Sequence, residues 1–120
     1  MNTINQEYNA FTKVVCNDSP YEVKDYFLLK DVKEVFLDVY QDILNQHSRI
    51  KDKYYSNNGQ GLINLLFVDH YLILCFRFAN ELYKAKAFDS KLLDAIYYSS
   101  KMRTSADLYY NASVGECFIP

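Results

Sequence analysis

A chain of 120 residues, half of them hydrophobic and with only three glycines and two prolines, is long enough to bury a real core. This composition favours a helical globular fold over a disordered chain or a β-sandwich. The net charge of −2, with no basic stripe, excludes nucleic acid as an expected partner, so the twelve tyrosines are read as core packing and not as a stacking platform.

Ile4, Tyr8, Phe11 and Val15 recur at helical spacing and predict a first helix over about 3–15. Asn17-Asp18-Ser19-Pro20 is expected to break it. Ser19-Pro20-Tyr21-Glu22 reads as a capping box with proline at the first helical position, a double start signal. The next stripe is Val32, Val35, Phe36, Val39, Tyr40, Ile43 and Leu44, with charged and polar residues opposite. It leaves open one helix or two, with a break near Lys30-Asp31. Ser56–Gly61 is the clearest loop. A long helix from about Leu62 to Lys86 follows, apolar on most sides as a central core helix would be. Asp89 or Ser90 is expected to cap a last helix that presents Leu92, Leu93, Ile96 and Tyr97, with helical patterning ending near Lys101-Met102.

The run Leu62–Tyr83 raises the question of a membrane span. Asp69, His70, Arg77, Asn80 and Glu81 interrupt it, and charges at a bilayer centre cost roughly 2.5–3.5 kcal/mol each, so no membrane partner is expected. The start, Met-Asn-Thr-Ile-Asn-Gln-Glu-Tyr, lacks the basic and apolar regions of a signal peptide, which makes the cytoplasm the expected location. The two glycosylation sequons, at Asn17 and Asn111, are then taken as chance. Cys16, Cys75 and Cys117 are scattered and odd in number; no zinc spacing is present, and reduced thiols are expected. His47 and His70 have no nucleophile arrangement about them and are read as structural.

The tail changes period. Leu108 and Val114 stand six apart, as do Ala106 and Ala112, and Val114-Gly115 opens another unit. Six-residue periodicity of aliphatic and small residues marks a hexapeptide β-helix, which needs about three or more repeats to bury its faces. The chain carries barely two, so it reads as the front part of something larger. The expected organisation is a helical domain over 1–104 and the incomplete onset of a left-handed parallel β-helix over 105–120.

From about Arg49 onward the chain resembles serine O-acetyltransferase, a hexapeptide-repeat acyltransferase. That family's junction reads Asp-Ile-His-Pro-x-Ala-x-Ile-Gly. Here it stands as Asp107-Leu108-Tyr109-Tyr110-Asn111-Ala112-Ser113-Val114-Gly115, with Tyr109-Tyr110 in place of His-Pro. Upstream, Arg77-Phe78-Ala79-Asn80-Glu81-Leu82-Tyr83 matches the family's Arg-Ile-Ala-His-x-Leu-Tyr/Trp at Arg, Ala, Leu and the aromatic. Lys51-Asp52-Lys53 stands where the family carries Arg-Asp-Pro-Ala, without the proline and with a small insertion nearby.

The resemblance implies an all-α multi-helix bundle leading into a β-helix, and transfer of an acetyl group from acetyl-CoA to a serine hydroxyl in cysteine biosynthesis. It implies a catalytic role for Asp107 as the carboxylate that orients a general-base histidine lying beyond Pro120. It places Asp52 at the binding site of the acceptor and Arg77 there or at the domain junction, with a solvated helix end and an ion pair to Asp69 or Glu81 as their structural alternatives. Acetyl-CoA is implied as co-substrate of an intact parent, with no cofactor held by this chain, because the coils that bind it are absent; the chain alone is expected to be inactive. A homo-oligomer built through the helical domain and a small-molecule acceptor, serine or a sugar, are the implied partners. Two alternatives stand beside this reading. One is a helical oligomerisation or interaction module acting on its own; the other is a sugar acetyltransferase relative of surface-polysaccharide synthesis.

Overall fold

A computed structural model describes residues 3–47, 63–85 and 89–110. Five helices account for 78% of these residues, and no strand occurs among them. The helix α1 spans Ile4–Asp18, α2 Lys24–Phe27, α3 Lys30–His47, α4 Val68–Ala85 and α5 Ser90–Thr104. The helical fold that the composition favours is what forms among the described residues, and it is compatible with the all-α bundle that the resemblance implies. The onset of a β-helix is not seen in 105–110, which carry no strand, and 111–120 lie outside the described residues.

Thr3 starts α1 with a capping box: its hydroxyl accepts the Gln6 N–H at 3.2 Å, and its own N–H reaches Gln6 Oε1 at 2.7 Å. The helix runs through Asn17 and Asp18, beyond its predicted end, because the Asp18 carboxylate is held by Ser99 and Arg103 of α5. The capping box expected at Ser19–Glu22 does not form. Ser19 instead closes α1 with its N–H on the Val15 carbonyl, and its hydroxyl bridges the N–H and C=O of Tyr21 in a local turn. The next helical turn, α2, waits until Lys24. The Tyr8 hydroxyl caps its end by donating to the Phe27 carbonyl at 2.7 Å. The break before α3 falls at Leu28-Leu29, two residues ahead of the expected place.

α4 begins at Val68, six residues later than its pattern predicts, because Asn64 competes for the backbone. Its side chain accepts the Leu66 N–H at 2.9 Å, and its carbonyl accepts from Phe67 at 3.0 Å. Once started, α4 is buried without interruption from His70 to Phe76, and it packs chiefly on α5 and α3. Asp89 caps α5 by accepting the Lys91 N–H at 2.8 Å, as expected. The helix ends at Thr104, two residues past the predicted stop, with Ser105 in the left-handed region at φ 60° and ψ 12°.

The centre of the bundle is aromatic. Phe11 has ring centroids of Phe36, Phe78, Tyr71 and Phe27 at 5.3, 5.7, 5.8 and 6.5 Å, so that α1, α2, α3 and α4 meet on one side chain. At the edge of this core the Tyr40 hydroxyl accepts the Ile63 N–H at 2.9 Å and donates to Glu7 Oε1 at 3.3 Å. Burial pushes the Glu7 carboxyl above its ordinary value, the Tyr40 bond opposing this in part. Raised in the folded state, such an acid favours folding while protonated, and that contribution is lost as pH rises through the folded value. Glu7→Gln keeps an acceptor for Tyr40 and removes the buried charge. Urea titrations over a pH series are expected to give a variant more stable than wild type at neutral pH, the difference shrinking toward pH 4.

Candidate functional site

The residues singled out by sequence fall at two places, with a third outside the described region. Asp107 lies in the irregular segment that leaves α5. The turn that releases it is built locally: the Ser105 N–H returns to the Lys101 carbonyl at 2.8 Å, and Thr104 Oγ1 links the Ser100 carbonyl (2.7 Å) to the Ala106 N–H (3.2 Å). The chain then doubles back along the bundle. The Tyr97 hydroxyl donates to Asp107 Oδ1, and Lys101 Nζ stands 3.8 Å from Oδ2. The carboxylate is two-thirds exposed. With about four lone-pair sites on two oxygens, it keeps room for a further donor such as an imidazole N–H. The bond to Asp107 is the main reason that the Tyr97 phenol is shifted above its ordinary value of 10.0. Asp107→Asn is expected to bring the Tyr97 phenol back toward that value, read from the ring-carbon shift of Tyr97 in an NMR pH titration.

Beyond Asp107 a tyrosine pair fastens the segment to two helices. Tyr110 is buried and donates to Asp94 Oδ1 at 2.8 Å; Tyr109 donates to the Tyr110 oxygen at 2.7 Å, the rings 4.1 Å apart. Asn80 Nδ2 donates to the Tyr110 carbonyl at 2.6 Å, and the ring of Tyr83 packs on that of Tyr110 at 5.6 Å. Tyr97 meets Tyr109 edge-on at 4.9 Å. The two blocks that carry the family resemblance, Arg77–Tyr83 and the junction from Asp107, thus touch through Asn80, Tyr83 and Tyr110.

Arg77 sits elsewhere, on the face where α4 meets α3. It donates to Asp42 and, at 3.0 Å, to Gln46 Oε1, and its side chain is 17% exposed. The expected partners within α4 are not used: Asp69 is exposed, and Glu81 pairs with Lys84 at 3.8 Å. Residues of α3 had no local signal as partners for α4, because 35 and 31 residues separate them. Arg77 and Asp107 share no bond or ion pair. Asp52 lies outside the described residues, as do the loop at Ser56–Gly61, Cys117 and the second hexapeptide unit.

Sequence reasoning overlooked the charge cluster of Asp18. Its carboxylate is 4% exposed and accepts from Ser99 at 2.6 Å and from Arg103 Nε and Nη2 at 2.6 and 2.8 Å. The Arg103 bonds hold it below its ordinary carboxylate value. Ser99 in turn pairs with the Tyr71 hydroxyl at 2.6 Å, next to Cys75, whose thiol is driven far upward by burial and is chemically inert. His70 is likewise structural: its Nδ1 accepts the Asn64 N–H at 2.9 Å, which puts the proton of the neutral ring on Nε2.

Among the described residues no group of three or more His, Cys, Asp or Glu is arranged to hold a metal, and no helix is long and apolar enough to cross a membrane. No family model, no curated protein and no solved structure matches this chain.

Proposed function

We propose that this chain is the N-terminal helical portion of a serine O-acetyltransferase-like acyltransferase, in which Asp107 orients the general-base histidine of a following β-helix. One observation carries the reading: α5 hands over at Ser105 to an irregular segment bearing Asp107, and that segment is fastened to the Arg77–Tyr83 block through Asn80, Tyr83 and Tyr110. These are the two stretches in which the family's residues recur.

In the proposed chemistry, the imidazole takes the acceptor hydroxyl proton as that oxygen attacks the thioester carbon of acetyl-CoA. Asp107 accepts the other ring N–H and fixes the tautomer. Tyr97 and Lys101 hold the carboxylate in place and balance its charge. Arg77 and Asp52 are assigned to the acceptor side. The Tyr109-Tyr110 pair takes the position of the family's His-Pro and trades it for a clamp on α4 and α5, which leaves a sugar hydroxyl as the second candidate acceptor. The transcript read through the codon for Pro120 tests the reading. A frame that continues in six-residue repeats with a histidine within the next few codons supports it, and a stop codon there contradicts it.

A helical association module is the second reading, favoured by Leu66, Leu28 and Val68, which are 90%, 72% and 53% exposed. Its occupant would be a second copy of the chain. Light scattering on the eluted 120-residue polypeptide tests association: a monomer at all concentrations removes this second reading, and a dimer or larger assembly supports it while also agreeing with the oligomer that the acyltransferase reading implies.

A further inference from the structure

The geometry points to a binding cleft for a neutral oligosaccharide at the corner where the α1–α2 connection meets the first turns of α5. The cleft encloses about 750 Å³, within the usual range for ligand sites. One wall is the turn Ser19-Pro20-Tyr21; the other is the face of α5 that carries Lys91, Asp94 and Tyr98, closed below by Tyr97 and Tyr109. It shares Tyr97 and Tyr109 with the segment that carries Asp107 but does not rest on the acyltransferase reading.

The chemistry of the walls selects the ligand. Tyr98 is 47% exposed and has no ring or cation partner among the described residues; Tyr21 is 69% exposed. Half-exposed tyrosines offer an apolar face with a negative quadrupole and a hydroxyl at the rim. Lys91 already stands over Tyr21 and Lys101 over Tyr97, each 6.0 Å from the ring centroid, which leaves the Tyr98 face open, and an organic cation on that face would share the cleft with the Lys91 ammonium. An anion would meet Lys91 but also the carboxylates of Asp89 and Asp94. A sugar ring carries no charge. Its C–H face is apolar and slightly positive, matching the open face of Tyr98, and its edge is lined with hydroxyls. For those hydroxyls the cleft supplies Asp94 Oδ2, which is left to solvent while Oδ1 takes Tyr110, and the Ser90 hydroxyl, which has no partner among the described residues.

The test applies the labelled 120-residue chain to an array of neutral hexose and N-acetylhexosamine oligosaccharides. The strongest binder is then titrated by calorimetry against wild type, Tyr98→Ala and Tyr21→Ala. Tyr21 is mostly exposed and Tyr98 about half-exposed, so both variants should fold, with far-UV circular dichroism as the check. Binding is expected, weakened about tenfold by each substitution, as loss of an aromatic contact of this kind implies. Three results would each overturn the proposal: no saccharide retained, affinity unchanged in both variants, or choline or inorganic phosphate perturbing Tyr98 resonances where saccharides do not. Because no acetyl donor is present in the assay, its failure would leave the acyltransferase reading untouched.

Discussion

Phe11→Ala is expected to lower the free energy of unfolding by about 3–5 kcal/mol, the cost of emptying a fully buried phenylalanine site. Phe11 is 0% exposed, and its ring is the one on which Phe27, Phe36, Tyr71 and Phe78 converge. The surrounding rings come from three other helices and cannot all close on the void without shifting those helices. Against the roughly 5–15 kcal/mol that holds a domain of this size, such a loss brings the variant near its unfolding threshold. Equilibrium urea denaturation would register a lower midpoint with an unchanged slope. Phe11→Leu, which refills much of the volume, should recover more than half of the loss. A Phe11→Ala variant within 1 kcal/mol of wild type would mean that α1 does not pack on the bundle as described.

Asp18→Ala is expected to cost about 2–3 kcal/mol at neutral pH, the scale for hydrogen bonds to a charged group with one partner half in water. The side chain joins the last turn of α1 to α5 through Ser99 and both donors of the Arg103 fork. Because Arg103 holds the folded carboxyl below its ordinary value of 3.8, the contribution is fully present above that value and is lost as pH falls through the folded one. Wild type should therefore lose its advantage over Asp18→Ala in strong acid, a convergence seen by comparing denaturation curves from neutral pH downward. The sign is opposite to that of Glu7, whose carboxyl burial raises. A double variant with Arg103→Ala would tell whether the two side chains act as one unit: the losses should fall well short of additive.

The parts of this architecture written in local patterns were legible beforehand. The stripe from Val32 to Ile43, the Asp89 cap and the first helix follow from spacing and capping chemistry alone, and the four longer helices form where the periodicity is strong. Three of the misread boundaries share one cause. Asp18, Ser19 and Asn64 each carry a short polar side chain whose best partner is decided by the folded chain: the fork of Arg103, the backbone of Tyr21, the N–H of Leu66. The site residues were legible as residue types, but their neighbours were not. Arg77 found Asp42 and Gln46 across a helix interface, where a search within its own helix offered Asp69 and Glu81. The cleft between Tyr21 and Tyr98 joins segments more than seventy residues apart and has no linear signature.

Tyr109-Tyr110 stands where the proposed family would have His-Pro, and the fold accounts for the pair through its contacts. A proline at the second position could keep the carbonyl that Asn80 reaches but not the hydroxyl that donates to Asp94. The tyrosine pair thus holds the segment carrying Asp107 against α4 and α5 by side-chain bonds.

Acetyl transfer by the polypeptide encoded by the whole reading frame, measured as thiol released from acetyl-CoA with serine or a sugar as acceptor, tests the assignment of Asp107 most directly. The account predicts turnover by wild type and a fall in kcat of about 10²–10⁴ for Asp107→Asn, the range for loss of general-base orientation. No acceptor-dependent release by wild type, or turnover by Asp107→Asn equal to wild type, would contradict it.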